Sequence, residues 1–269
     1  MICFLPEASQ PKNSYYSKIL RLGCLANQSG KQYMLHTFCD CKSLRSIALP
    51  GSLMQIGAGC FTGCSLLQNI TVDAENHVYD SRQGCNCVVE TQRNRVVVAC
   101  VNSSIVPSIQ ILGSRAFCNS RISSISLPNS LQAIEDNAFA NSVYLERITI
   151  PHSVRLIGNS AFANCKSLSE VVLSDAITAI PEKCFIGCSS LKQIHLPSGL
   201  VTIGKEAFKQ CSALQQVWMG SALRTIDNNA FRDCATLSAI HYSGSESNWS
   251  SISKGLYNAN LLSVAIDYT

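Results

Sequence analysis

The chain has 269 residues, a formal net charge of +4 and 15 cysteines, and only 14% of its residues are charged. The positive charge is too small and too dispersed to predict nucleic-acid binding, since no run of Lys or Arg exceeds two residues. No apolar run reaches the roughly 18 residues that a membrane-spanning helix needs. The length therefore suits one large domain without a membrane span.

Residues 1–36 lack the periodic pattern that fills most of the remaining chain. Their first seven residues have neither the basic beginning nor the apolar core of a secretory signal. Either the protein is not exported by that route, or the chain is a mature or shortened form. We expect this lead-in to form a degenerate first coil that covers the open end of the following repeats. Its apolar residues are Ile19, Leu20, Leu22 and Leu25.

From Phe38 onward, a unit of 23 residues repeats along the chain. A fixed period of this length predicts a solenoid, in which each unit stacks on the next. Two spacings differ: Phe117 to Phe139 is 22 residues, and Phe61 to Phe117 is 56 residues. The units begin at Phe38, Phe61, Phe117, Phe139, Phe162, Phe185, Phe208 and Phe231.

Each unit carries two apolar pairs, seen in the sixth unit as Ile194 with Leu196 and Leu200 with Ile203. The first pair has a spacing of two, which predicts a short strand with both residues facing inward. A proline follows this strand in four units and ends it, because proline has no N–H to donate. The second pair closes the coil, and the Ala-Phe step after it is expected to be a short helical turn.

The third position after each phenylalanine is cysteine in six units and serine in two. Serine matches cysteine in size but cannot form a disulfide, so the position predicts a small, buried, weakly hydrogen-bonding residue and a column of reduced thiols. Cys60 and Cys184 replace the alanine before the phenylalanine and fit the same interpretation. Two alternatives remain open: metal binding by closely spaced pairs such as Cys85 and Cys87, and a disulfide between Cys85 and Cys100.

Residues 73–115 interrupt the repeat. Val88–Glu90 and Val96–Val98, separated by a polar segment, predict a β-hairpin. Ile105–Gly113 resembles the second half of a coil, so we expect the solenoid to continue through an enlarged coil.

The pattern changes again after Ile240, and residues 242–269 are predicted to form a C-terminal cap. Six apolar residues are expected to cover the last coil: Trp249, Ile252, Leu256, Leu261, Leu262 and Ile266.

The repeat pattern FxxCxxLxxIxLPxxLxxIGxxAF resembles the leucine-rich repeats of the BspA-like type over Phe38 to Ile240, and more loosely in the tail. The insertion matches the same family at Asn76, Tyr79, Gly84 and Cys85. The resemblance implies an α/β fold: a right-handed leucine-rich-repeat solenoid with a parallel sheet on its concave face and short helical turns and loops on its convex side. The implied organisation is a lead-in at residues 1–36, a solenoid at 37–241 and a cap at 242–269.

Catalysis needs polar groups that converge, and the sequence shows no such set. The five histidines are scattered, and no glycine-rich phosphate loop is present. We therefore expect no enzyme activity, no cofactor and no metal site. A hydrolase or metal-binding role is the weakest hypothesis.

The outward strand positions offer one distinctive patch, where His195, Trp218 and His241 fall in adjacent rows. An aromatic side chain on a solvent-facing strand suits recognition, so the patch is a candidate binding site. The alternative is cross-strand stacking that only stabilises the sheet, or contact with the cap. The two histidines lie two strand spacings apart, roughly 10 Å, which is too far for one metal ion. Three polar residues flank the patch: Lys192, Gln193 and Gln216.

Together these features favour a non-enzymatic, monomeric solenoid that binds a protein or glycan partner, with extracellular-matrix and host-surface molecules as candidates. The family resemblance implies an extracellular or cell-surface location in bacteria and a role in adhesion or host interaction. The alternative function is a structural spacer that presents another module, because the outward residues of the first four coils are mostly small.

Overall fold

A computed structural model of the chain describes the backbone of residues 32–33 and all of residues 37–268. The apolar residues of the predicted first coil lie outside this part of the chain. Two rows of short strands run along the molecule, and their pairing makes it a solenoid of parallel strands, as the repeat predicts. The second row comprises β1 (Gln32–Tyr33), β3 (Gln55–Ile56), β8 (Ile111–Leu112), β9 (Ala133–Ile134), β11 (Leu156–Ile157), β13 (Ala179–Ile180), β15 (Thr202–Ile203), β17 (Thr225–Ile226) and β19 (Ser253–Lys254).

The main row is built around the first apolar pair of seven of the eight units, followed by one strand of the tail. Its strands pair in parallel with an offset of one repeat, so Gln193 lies opposite Gln216 and Ile194 opposite Val217. Equivalent residues of successive coils therefore stack in columns. The strands are β2 (Ser46–Leu49), β4 (Asn69–Val72), β10 (Arg147–Thr149), β12 (Glu170–Val172), β14 (Gln193–His195), β16 (Gln216–Gly220), β18 (Ala239–Ser243) and β20 (Ala265–Tyr268).

The phenylalanines form the centre of the core. From Phe117 to Phe231 their rings stack nearly parallel, with centroids 5.2–5.4 Å apart. Phe38 and Phe61 stack on each other at 4.8 Å and belong to a separate apolar cluster. The insertion lies between the two stacks, so it divides the core into an N-terminal cluster and a larger C-terminal cluster.

The cysteine column has a defined bonding role. Five of its six thiols donate a hydrogen bond to the carbonyl of the phenylalanine one coil earlier, as from Cys165 Sγ to Phe139 O (3.2 Å) and from Cys188 Sγ to Phe162 O (3.2 Å). The hydroxyl of Ser142 makes the same bond to Phe117 O at 2.7 Å. The position thus needs a small side chain that carries one donor, and the described cysteines are all free thiols.

The segment around each phenylalanine differs from the expected helical turn. Residues two before and two after it adopt left-handed backbone angles, for example Glu206 (φ 57°) and Gln210 (φ 62°) around Phe208. A left-handed residue interrupts a run of helical angles and turns alternate N–H groups toward the next coil. Phe208 N accordingly donates to Ala230 O at 2.8 Å, so these segments are successive turns that bond between coils.

The insertion contains an antiparallel hairpin of β6 (Cys87–Glu90) and β7 (Arg95–Ala99), preceded by β5 (Tyr79–Asp80). Strand β7 pairs in parallel with β8, which connects the hairpin to the second row. The side chain of Asn76 holds the segment to the preceding coil by donating to Pro50 O and Leu53 O, both at 2.9 Å.

The coil that starts at Phe117 has no strand in the main row, so the strand predicted at Ile125 and Leu127 is wrong. Both side chains are partly exposed, and a groove of about 450 Å³ separates them from β10. This coil is one residue shorter than the coils that follow it, and it comes directly after the enlarged coil. On the side of the main row, Glu146 N donates to Ser123 O at 2.9 Å, whereas β9 keeps its regular parallel pairing with β11 in the second row.

The tail continues both rows, because β19 pairs with β17 and β20 pairs with β18. It also contains two short helices, α1 (Glu246–Ser251) and α2 (Ala259–Leu262). Trp249, Ile252 and Leu261 are buried as expected, but Leu256 and Leu262 are 68% and 64% exposed, which corrects the set predicted to cover the last coil. No helix in residues 37–268 is long enough to cross a bilayer.

The buried thiols predict a loss of stability at alkaline pH. Burial raises the pKa of Cys165 from 9.0 to about 12, so the folded state retains a proton that the unfolded state loses. The stabilisation is complete below about pH 9 and is lost as the pH rises toward 12. In urea titrations with reductant, Cys165→Ser should reduce the slope of unfolding free energy against pH by up to about 1.4 kcal/mol per pH unit.

Ser142→Cys is the matched control, because it adds a thiol at the equivalent position of the preceding coil. It should steepen the same alkaline slope. Identical slopes for both variants and the natural chain would show that these thiols do not couple to folding.

Candidate binding surface

The candidate surface arises from the strand alternation of the main row. In each strand the second apolar residue faces the core, and the residue before it points outward. The parallel register aligns these outward residues in a single file, which we call the outward column. Its members in the strands are Ala48, Thr71, Thr149, Val172, His195, Trp218, His241 and Asp267.

Three rings of the outward column stack face to face. The ring centroids of His195 and Trp218 are 4.0 Å apart with planes at 12°, and those of Trp218 and His241 are 4.6 Å apart with planes at 13°. The structure therefore brings together the three aromatic residues that the sequence singled out. Trp218 lies in the middle and is only partly buried, so one edge of the stack is open to solvent.

The C-terminal end of the stack carries a hydrogen bond between a histidine and a carboxylate. Nδ1 of His241 lies 3.0 Å from Oδ2 of Asp267, a residue that the sequence reasoning missed. The alternation of Val264 and Ile266, both packed against the core, was the signal that would have placed Asp267 outward. Nε2 of His241 is enclosed and has no hydrogen-bond partner among residues 37–268.

The polar residues expected around the stack occupy a parallel file on the same face. Gln193 and Gln216 lie directly opposite each other, and Gln216 lies opposite Ala239. Lys192 precedes them and is exposed, while its carbonyl accepts from Gln215 N at 2.8 Å. The side chains of Lys192, Gln193 and Gln216 form no hydrogen bond to other residues of the described chain, so their polar groups are available to a ligand.

The arrangement combines a flat aromatic surface with amide and ammonium groups, which is suited to non-covalent recognition. His241 and Asp267 resemble the orienting half of a catalytic triad. Within residues 37–268, no hydroxyl or thiol is hydrogen-bonded to His241 Nε2, the position that a triad nucleophile would occupy. The described residues also contain no group of three or more His, Cys, Asp or Glu placed to hold a metal ion.

The outward column changes character along the solenoid. Val172 is 47% exposed and extends the apolar surface one coil beyond His195. Toward the N-terminus the column continues with small residues, and it is interrupted where the Phe117 coil lacks its strand. The large apolar and aromatic side chains of the outward column, Val172 to His241, are thus confined to the last four coils.

Comparison with known proteins identifies the family. The profile of the BspA type leucine rich repeat region matches residues 27–88 and 104–263, with six copies. The chain belongs to this family. No curated protein matches it.

Solved structures of leucine-rich-repeat proteins are similar to this solenoid. A leucine rich cell surface protein from Faecalibacterium prausnitzii is 30% identical with a TM-score of 0.63, over 83% of this chain and 54% of that one. A leucine-rich repeat protein from Eubacterium ventriosum is 21% identical with a TM-score of 0.68, over 80% and 58% of the two chains. The pneumococcal vaccine antigen PcpA is 15% identical with a TM-score of 0.59, over 89% and 59%. The chain thus spans less than two thirds of the length of each of these three proteins.

Comparing the stability of alanine variants of Trp218 and Trp249 tests whether the stacked rings of His195, Trp218 and His241 serve only to stabilise the fold. Trp249 is 8% exposed and packs edge-on against Tyr242, so Trp249→Ala should cost about 3–5 kcal/mol of unfolding free energy. Trp218→Ala removes ring stacking but little core packing, so it should cost about 0.5–1.5 kcal/mol of unfolding free energy. Urea denaturation of the two variants measures both values, and equal losses would favour a purely structural role for the stack.

Proposed function

We propose that this solenoid binds a protein or glycan partner through the C-terminal part of its outward column. The contact surface comprises the stacked rings of His195, Trp218 and His241. Gln193, Gln216 and Lys192 supply hydrogen bonds at its margin. The binding is non-covalent and needs no cofactor or metal.

The observation that supports this proposal is the partly exposed Trp218 between two histidines. Burying a large aromatic ring contributes strongly to binding, and tryptophan is enriched among the residues that dominate interface energies. A tryptophan needed only for stability would be expected in the core, where Trp249 lies. The flat stack also suits the apolar face of a sugar ring or a planar side chain of a peptide.

The proposed location is the bacterial cell surface, with adhesion or host interaction as the biological role. The family supports a repeat scaffold, and the Faecalibacterium prausnitzii structure is described as a cell surface protein. Extracellular-matrix proteins and host glycans are the partner classes that we propose to test first.

A structural spacer is the second candidate function. It is favoured by the small side chains of the outward column in the N-terminal coils, Ala48, Thr71 and Thr149. Such a surface offers little to a ligand, so on this view the solenoid would only present another module.

A binding screen separates the two functions. The chain would be tested against immobilised extracellular-matrix proteins and a panel of surface glycans. A partner that binds the natural chain should lose at least tenfold in affinity with Trp218→Ala, which corresponds to about 1.4 kcal/mol. His195→Ala should weaken the same partner, because it removes one side of the stack.

Thr71→Ala is the matched control, because Thr71 occupies the same column in a distant coil. It should leave affinity unchanged. A partner that binds all variants equally would place the site elsewhere on the solenoid, and a screen with no partner would favour the spacer.

A further inference from the structure

The turn before the hairpin brings two sulfur atoms together. The Sγ atoms of Cys85 and Cys87 are 3.0 Å apart, with the Cys87 thiol donating to the Cys85 sulfur. The Cys85 thiol in turn donates to the carbonyl of Cys87 at 3.7 Å. Both side chains are fully buried. The sulfurs are already closer than two unbonded sulfur atoms usually lie.

The backbone between them explains this approach. Cys85 has right-handed helical angles (φ −60°, ψ −13°) and Asn86 is left-handed (φ 54°). This tight reversal turns the side chains on either side of Asn86 toward each other and brings their Cα atoms nearer than an extended strand would. Disulfides require such compact spacing, with Cα atoms about 4.4–6.8 Å apart.

The side chain of Asn86 keeps the turn in place. Its Oδ1 accepts from Ile70 N at 2.7 Å, and its Nδ2 donates to Gln68 O at 2.6 Å. Both partners belong to the preceding coil, so the turn is held against a neighbouring strand. The paired geometry of the two sulfurs is therefore pre-organised by the fold.

The other cysteines of the described chain are placed differently. Those of the cysteine column donate to phenylalanine carbonyls, as Cys188 does to Phe162 O. The Cys100 thiol contacts Asn86 O at 3.5 Å and accepts a hydrogen bond from Asn86 Nδ2 at 3.4 Å. Cys85 and Cys87 form the one sulfur-to-sulfur hydrogen bond within residues 37–268.

The same hydrogen bond separates the acidities of the two thiols. The Cys87 thiol lowers the pKa of Cys85 to about 7, because it stabilises the Cys85 thiolate. The pKa of Cys87 is raised, because it is the donor in this bond and is buried. Near neutral pH, Cys85 is thus the nucleophile and Cys87 is the thiol poised to follow.

We propose that Cys85 and Cys87 form an oxidation site that reacts with small peroxides and closes to a disulfide. The Cys85 thiolate attacks one peroxide oxygen, the O–O bond breaks, and the leaving hydroxide takes a proton from solvent to become water. The sulfur of Cys87 then attacks the resulting Cys85 sulfenic acid. The S–O bond breaks, and the thiol proton of Cys87 joins the leaving hydroxide as a second water.

The balance is two thiols and one hydrogen peroxide giving one disulfide and two waters. A small oxidant suits the site, because both sulfurs are buried and the adjoining exposed residues are Gln83 and Gly84. The disulfide between Cys85 and Cys87 would fix the conformation of the turn that leads into β6. This modification is independent of the proposed binding surface, which lies in the last coils.

Peptide mass mapping tests the proposal on the intact chain. The reduced protein, freed of reductant, is treated with hydrogen peroxide, alkylated with iodoacetamide in denaturant and digested with trypsin. The tryptic peptide 83–93 contains Cys85 and Cys87 and no other cysteine. It should lose the mass of two hydrogen atoms, resist alkylation, and recover both thiols after reduction with dithiothreitol.

The tryptic peptide 184–192 is the internal control, because it contains the buried pair Cys184 and Cys188. It should remain reduced and be alkylated twice. In Cys87→Ser the disulfide cannot form, so dimedone should trap a sulfenic acid on Cys85. Cys100→Ser should still form the disulfide.

Two results would overturn the proposal. A cross-link between peptides 83–93 and 96–115 would show that Cys85 pairs with Cys100. The second result is recovery of peptide 83–93 with both cysteines alkylated. If Cys39 has been oxidised in the same sample, the peroxide was active, and this result would show that the buried pair does not react.

Discussion

The parallel register between successive coils is the constraint on which the rest of this structure depends. An offset of one repeat places each residue directly over its equivalent, so a side chain lies against the one at the same position of the next coil. Phenylalanine then stacks on phenylalanine, and five thiols of the cysteine column reach the phenylalanine carbonyl of the previous coil. A residue type that packs well at an inward position of one coil also packs well at the same position of the next coil. Few residue types therefore suffice to build a continuous core.

The same constraint explains where the solenoid is irregular. The insertion and the shortened coil change the path length between equivalent residues, so the columns cannot remain continuous there. The phenylalanine stack divides, the main row loses a strand, and a groove opens beside β10. The hairpin compensates in the second row, where β7 and β8 restore parallel pairing. The backbone reversal that holds Cys85 against Cys87 also lies in this irregular region, outside the repeat's own rules.

Side chains on the outer face of the main row do not pack into the core, so the residue type there can vary from coil to coil. It does so in one direction: small residues occupy the N-terminal coils, and stacked rings with a hydrogen bond between His241 and Asp267 occupy the C-terminal coils. This gradient links the scaffold to the proposed function, because a regular sheet can hold rings in parallel at fixed spacing without loops. The scaffold is the same from coil to coil, so the proposed recognition depends on the side chains of the outward column and not on the fold itself.

The sequence by itself determined the period, the inward columns, the need for a small donor after each phenylalanine, and the adjacency of His195, Trp218 and His241. All of these follow from a repeat length and a strand alternation, which are properties of the residue order. Only the tertiary structure decided the turns in place of helix, the missing strand at Ile125, the hydrogen bond of His241 with Asp267 and the contact of Cys85 with Cys87. The turns recur in every described coil, but the repeat length alone does not distinguish a helical turn from turns that bond between coils. The other three features lie where the chain departs from the repeat, and a periodic pattern carries no information about such departures.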